Sequence, residues 1–385
     1  MASAKKIELI LPPLSLYIHM PWCVKKCPYC DFNSHGKTGE IPQQQYIDAL
    51  LNDLKNDLGY VQGRKLESIF IGGGTPSLFD ASEIARLLNG INQFIAFSDD
   101  IEITMEANPG TLEHDDLTAY EKAGINRLSI GVQSFSDNKL NLLGRIHQKQ
   151  EAIAAAKSAQ NTNFNSFNLD LMHGLPNQNL DEALTDLDIA ASLNPPHLSW
   201  YQLTIEANTL FHSKPPTLPE DEALWQIYET GQKKLAALGY EQYEISAYAK
   251  PGYQCRHNVN YWQFGDYIGI GCGAHGKITQ MKDQKIIRSV KIKHPKGYLA
   301  ATDYQFEITE VEKEDRALEY LMNRLRLMSA IPKQEFEQRT GLSREVLNEG
   351  MDKAAQKGLI NISDNHWTLT PKGHLFVNEL LSQFC

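Results

Sequence analysis

The chain has 385 residues, 42% of them hydrophobic and 22% charged, which supports a sizeable core spread over two or three domains. Lys and Arg number 37 against 47 Asp and Glu; a formal charge of −10 argues against a general nucleic-acid binder, since phosphate attraction needs clustered basic residues. No apolar run approaches the roughly 20 residues that span a bilayer. Met1 to Leu11 also lacks the apolar core and cleavage site of a signal peptide, so a soluble, cytoplasmic protein is expected.

Leu14, Leu16, Ile18 and Met20 alternate with Ser15, Tyr17 and His19, the period of a strand. A cysteine-rich loop follows at once. Tyr46, Leu50, Leu54 and Leu58 then recur every four residues, as on an amphipathic helix. The apolar run 68–71 reads as a second strand, ended by three glycines. Further strands are predicted near 101–105, 127–132, 167–172 and 198–204, with helices between them at 112–122, 147–159 and 180–192. Strand, crossover helix and strand in series predict a parallel α/β sheet or barrel, with its site at the C-terminal ends of the strands. Beyond Pro215, Pro216 and Pro219 a helix is predicted near 220–238, and 240–300, rich in Gly, Tyr and His, reads as loop and strand. From about 314 three helices and a hairpin (358–370) predict a small winged-helix-like domain. Three parts follow: 1–210, a barrel-like domain carrying the site; 211–312, an associated extension; and 313–385, the C-terminal domain. No internal repeat or low-complexity tract interrupts them.

Of six cysteines, Cys23, Cys27 and Cys30 fall within eight residues. Cysteines bunched in a large chain without a signal peptide read as a metal or redox site rather than a disulfide framework. Three thiolates on one loop suit three irons of a cubane cluster and leave the fourth iron open. The competing reading is zinc, with His19 or His35 as fourth ligand. Cys255, Cys272 and Cys385 have no ligand spacing and read as structural.

The spacing CxxxCxxC after a first strand, with Tyr29 before the third cysteine, resembles the radical S-adenosylmethionine superfamily. That resemblance implies a partial (βα) TIM-type barrel, a 4Fe-4S cluster on the three cysteines, and S-adenosyl-L-methionine chelated by the open iron. Gly72-Gly-Gly-Thr75-Pro76, by itself a tight turn or a place of close backbone approach, then looks like the superfamily's glycine motif. Glu106 alone is a helix cap as often as a ligand, and Arg145 alone a surface ion pair. In order along the chain, however, Tyr17, Gly73, Gly74, Thr75, Glu106, Gln133, Arg145 and Asp170 resemble the cofactor shell of the coproporphyrinogen dehydrogenase subfamily.

The string His257-Asn-Val-Asn-Tyr261-Trp262 resembles a hallmark of HemW-type haem chaperones. The alternative for His257 and His275 is hydrogen bonding within a core or loop. On the functional reading His257, Tyr261, Trp262 and His275 contact haem, imidazole serving iron and the rings a flat macrocycle. The string 271–276 matches GxGxxG, but strand-like residues follow it, so it is not a dinucleotide fingerprint. The porphyrin-forming dehydrogenases carry a further cysteine where this chain has Phe32, and a longer segment before the first strand. Both departures match the chaperones, so the resemblance implies haem binding and delivery to an acceptor protein, which can be membrane-associated. The alternative it leaves is an oxygen-independent coproporphyrinogen III dehydrogenase, a radical oxidative decarboxylase.

Overall fold

The computed structural model describes residues 7–112 and 114–384. Six strands, β1 (Leu14–Met20), β2 (Leu66–Gly73), β3 (Phe97–Ala107), β4 (Arg127–Gln133), β5 (Ser166–His173) and β6 (His197–Gln202), pair side by side in parallel in chain order. The alternation read in β1 recurs in all six. One set of positions (Leu16 and Ile18, Ile69 and Ile71, Ile103 and Met105, Leu128 and Ile130, Leu169 and Leu171, Leu198 and Trp200) belongs to the main hydrophobic core. The intervening helices, among them Gln43–Asn56, Ala81–Phe94 and Leu180–Ser192, supply the other half of that core. Successive strand side chains point to opposite faces. The remaining positions (Ser15 and Tyr17, Ser68 and Phe70, Thr104 and Glu106, Ser129 and Gly131, Asn168 and Asp170, Ser199 and Tyr201) therefore share the other, concave face.

Residues 211–312 extend the same sheet at both edges. After helix Asp221–Ala237, β7 (Glu241–Glu244) and β8 (Ala247–Ala249) add antiparallel beyond β6. The chain then crosses to the opposite edge, where β9 (Asp266–Ile270) pairs parallel to β1. Three antiparallel strands continue from it: β10 (His275–Gln280), β11 (Lys285–Lys291) and β12 (Gln305–Glu310). The result is an open twelve-stranded sheet, a partial barrel, in the order β12-β11-β10-β9-β1-β2-β3-β4-β5-β6-β8-β7. Two expectations change. The parallel run has a seventh member, β9, and the segment read as loop and strand also holds helices Arg256–Trp262 and Pro295–Ala300.

Lys291 lies 2.7 Å from both Asp53 and Asp57, and Asp266 pairs with Lys277 at 3.1 Å and Arg64 at 2.8 Å. These buried charges tie the added strands to the first helix and the loop after it. The C-terminal part has its own core: Tyr320, Leu321, Leu325, Phe336, Met351 and Trp367 pack together, and Leu9, Phe264 and Ile286 join them from outside it. Its helices Lys313–Arg324, Lys333–Thr340 and Asn348–Gln356 stand beside a three-stranded sheet formed by Ile331–Pro332, His366–Leu369 and Ile360–Ile362, a winged-helix-like arrangement.

Gly231, in helix Asp221–Ala237, sits directly on the Trp200 indole; a Cβ there would lie 2.0 Å from the ring. Gly→Ala inside a helix ordinarily gains about 1 kcal/mol. Here overpacking should reverse the sign, so Gly231→Ala is expected to lower stability by about 1–3 kcal/mol, read as a lower urea midpoint.

Candidate functional site

The concave face ends in a loop held by backbone bonds. After β1, Trp22–Cys23 pairs in parallel with His35–Gly36, and His35 N–H donates to Pro21 O at 2.7 Å and Lys37 N–H to Cys23 O at 2.8 Å. The glycine motif after β2 grips the same loop: Gly74 N–H donates to Met20 O and Thr75 N–H to Trp22 O, each at 2.7 Å. A Cβ on Gly74 would stand 2.5 Å from the Trp22 carbonyl oxygen. On Gly73, whose φ is +112°, it would stand 2.4 Å from the His19 ring. Only glycine allows this approach.

Cys23, Cys27 and Cys30 are free thiols, half-buried, and all three line one cavity of about 510 Å³. Burial raises the bare Cys23 thiol above its usual range, against a hydrogen bond from Thr75. Among the described residues no three His, Cys, Asp or Glu side chains converge on a single-ion site. His19 has both ring nitrogens engaged, one with Tyr17 Oη and one with Asn33 O, each at 2.9 Å. His35 pairs with Asn33 Oδ1 at 3.2 Å and lines a different cavity. Neither His19, with both nitrogens engaged, nor His35, in another cavity, therefore stands beside the thiols as a fourth zinc ligand. Three soft thiols on one loop, with polar groups facing them, fit a cubane cluster with one open iron.

Of the residues singled out in the sequence, Tyr29, Gly73, Gly74, Thr75, Glu106, Gln133, Arg145 and Asp170 line this same cavity. Glu106 Oε2 accepts from Gly73 N–H at 2.9 Å. Burial, then the neighbouring Asp170 carboxylate, push Glu106 up to about 7. Asp170 lies in mid-strand rather than at the strand end, accepting from Asn168 Nδ2 at 2.7 Å and Ser129 Oγ at 3.1 Å; burial raises it too. Arg145 donates to Gly131 O at 2.7 Å and lies 3.6 Å from Cys27 Sγ. Gln133, at a left-handed φ of 68°, accepts from Tyr201 Oη at 2.8 Å. Two adjacent carboxylates beside glycine backbone suit a ligand that combines positive charge with hydroxyl groups. Ser129, Ser199 and Tyr201, overlooked in the sequence, share the cavity; extending the alternation of β1 to β4 and β6 would have found them.

A second cavity, of about 910 Å³, adjoins the first and shares Phe32, Ser34, Gly73 and Glu106 with it. Its walls include Tyr17, Phe70, His257, Tyr261 and Tyr267. His257 stacks on Phe70 with ring centroids 5.0 Å apart, and its Nδ1 is buried without a hydrogen-bond partner. Burial, then the charge of Arg127, lower the imidazole to about 4, so it stays neutral near pH 7. Asn260 fixes this helix by donating to Ser15 Oγ at 2.9 Å and to Asp266 O at 3.0 Å. His257 and Tyr261, four residues apart, share one helix face. Trp262 instead enters the cysteine-lined cavity, with Arg326 over its ring at 4.3 Å. His275 stands exposed in the lining of the larger cavity. A strand, not a helix, follows 271–276, as expected of a string that is no dinucleotide loop. Cys255 and Cys272 are buried, and Cys385 lies outside the described residues.

Comparison with known proteins matches residues 17–190 to the Radical SAM superfamily and 311–376 to the HemN C-terminal domain. The fold and the three-thiol cavity thus define a radical S-adenosylmethionine protein, with a 4Fe-4S cluster and S-adenosyl-L-methionine as the cofactors that class implies. The chain is 57% identical to heme chaperone HemW of Escherichia coli over 97% of its length and 98% of the relative's. It is 57% identical to that of Haemophilus influenzae over the same shares, and 35% identical to that of Bacillus subtilis over 96% and 98%. It belongs to the HemW family. The solved coproporphyrinogen III oxidase (HemN) of Escherichia coli shares the fold, with a TM-score of 0.83 over 97% of this chain and 90% of that one, at 24% identity.

Glu106 titrates near 7 in the folded chain and near 4.3 unfolded. The folded state therefore holds the extra proton, and the stability this group contributes is present below about pH 4.3 and lost as pH rises through 7. Glu106→Gln should leave stability near wild type at pH 4 and raise it by about 3–4 kcal/mol at pH 8, measured by urea unfolding of the cofactor-free protein.

Proposed function

We propose that this chain is a haem chaperone: it binds haem in the larger cavity and hands it to acceptor proteins, beside a 4Fe-4S cluster and S-adenosyl-L-methionine. Cys23, Cys27 and Cys30 would hold the cluster. Gly73, Gly74 and Thr75 would face the methionine end of the cofactor and Glu106 the ribose hydroxyls, with Tyr29, Gln133, Arg145 and Asp170 completing the shell and Tyr17 at its border, in the wall of the larger cavity. When bound, such a cluster would be the site's source of redox chemistry. The protein's own residues orient the ligands and keep water from them.

The observation that carries the haem reading is His257: a neutral imidazole with an unpartnered nitrogen, in the wall of an aromatic-lined cavity of about 910 Å³. Such a ring is a ready iron ligand. Tyr261 lies on the same face, and His275 is a second candidate in the lining. Trp262 would stand on the cluster side instead. Phe32 favours carriage over conversion, because it fills the position of the dehydrogenases' additional cysteine. No helix of the described residues is long and apolar enough to cross a membrane, and the chain is read as cytoplasmic; a membrane-associated acceptor is compatible with that. A net charge of −10 argues against nucleic acid as a partner.

Haem titration followed by the Soret band tests the reading. His257→Ala should weaken haem binding by about tenfold or more, roughly 1.4 kcal/mol, and change the band; an unaltered band would remove this ligand. Anaerobic incubation with coproporphyrinogen III, S-adenosyl-L-methionine and reductant should yield no protoporphyrinogen, and turnover would replace the chaperone reading with the enzyme. Separately, Cys27→Ser should abolish the cluster, seen as loss of brown colour and bound iron after anaerobic reconstitution.

A further inference from the structure

We propose that Lys26 and Lys293, at the mouth of the larger cavity, bind the two propionate carboxylates of the porphyrin and so fix the direction in which it enters. The inference rests on the haem reading and adds to it an orientation and a basis for choosing among porphyrins.

The cavity is graded. Tyr17, Phe70 and His257 form an aromatic wall, while Lys26 and Lys293 are exposed residues of the lining. A chain of net charge −10 thus offers two ammonium groups at this mouth, against the exposed carboxylate of Asp31. A porphyrin has the same grading: a flat apolar ring with both carboxylates on one side.

The two lysines have contacts that hold them in place without neutralising them. Lys26 Nζ donates to the Phe32 carbonyl at 3.0 Å, and Lys293 Nζ lies 5.9 Å from the centre of the Phe306 ring. Among the described residues neither forms an ion pair, unlike Lys277 and Lys291, whose ammonium groups each meet a carboxylate. The Lys293 backbone is fixed as well, its carbonyl accepting from Asn33 Nδ2 and Cys272 Sγ, both at 2.8 Å. Asn33 belongs to the segment that follows the cysteines and also bonds His35. Lys293 is therefore carried on backbone of defined position, Lys26 is steadied through its own ammonium group, and both are left with capacity for an anion. As compact point charges on flexible stems, lysines can follow propionates whose torsions vary.

The test compares haem with haem dimethyl ester, whose carboxylates are masked, in Soret titrations of the full-length reconstituted protein at low salt. Wild type should prefer haem roughly three- to tenfold, the range for partly solvated charge pairs, and salt should erode the preference. The double variant Lys26→Gln/Lys293→Gln should bring the ratio to about one while leaving ester affinity unchanged. Lys233→Glu, on the distant helix Asp221–Ala237, should keep the wild-type ratio. A double variant that retains the preference overturns the proposal. So does a wild type that binds haem and ester equally with a Soret band sensitive to His257→Ala, and that result leaves the haem reading standing. A wild type that binds neither porphyrin defeats the haem reading, and this proposal with it.

Discussion

The pleat of a β-strand sends neighbouring side chains to opposite faces, and most of this molecule follows from how its sequence uses that constraint. A parallel sheet ordinarily buries both faces and reads as a continuous apolar run. Here the aliphatic residues fall on every second position, with Phe70 the apolar aromatic member of the other set. The apolar set seats the helices that join the strands, and the polar set, from Ser15 and Tyr17 through Glu106 to Asp170 and Tyr201, furnishes a concavity that those connecting helices leave open. Core and site are made by the same strands, one residue out of phase. A one-residue slip in any strand would exchange them, so the register that stabilises the fold also specifies the chemistry.

Much of this was legible in the residues. The six parallel strands and the helices between them show their periods, and the cysteine spacing marks the site without structural help. Other features were hidden for identifiable reasons. In β9 the sequence Asp266-Tyr-Ile-Gly-Ile is short and entirely buried, so it has no alternation to read. Its place beside β1 depends on a chain crossing that leaves no local signal. Helix Arg256–Trp262 has only seven residues, too few to show a period of 3.6, and its aromatic and β-branched content resembles a strand. Missing that helix concealed the division of its side chains: His257 and Tyr261 toward one cavity, Trp262 toward the other.

Membership of the HemW family and likeness to the oxidase fold show how one frame can accommodate different outcomes. What separates carriage from conversion need not lie in the sheet. Phe32 is 60% exposed and belongs to the lining of both cavities. It stands on the segment joining the cysteine loop to Asn33, which is bonded to Cys272 and to the Lys293 carbonyl. A single side chain at this partition thus bears on both cavities.

The cysteine loop is stitched to its surroundings through main-chain atoms of Pro21, Trp22, Cys23, Gly74 and Thr75, and its sulfurs add long contacts, Cys30 Sγ to Ser34 Oγ at 3.5 Å and Cys27 Sγ to Arg145 at 3.6 Å. Its short, well-formed anchors are main-chain bonds. Iron–sulfur cubanes are vulnerable to oxygen, and a loop that depended on its metal for shape would be lost along with it. The bonds that shape this segment are therefore not the bonds that the loss of a cluster would break.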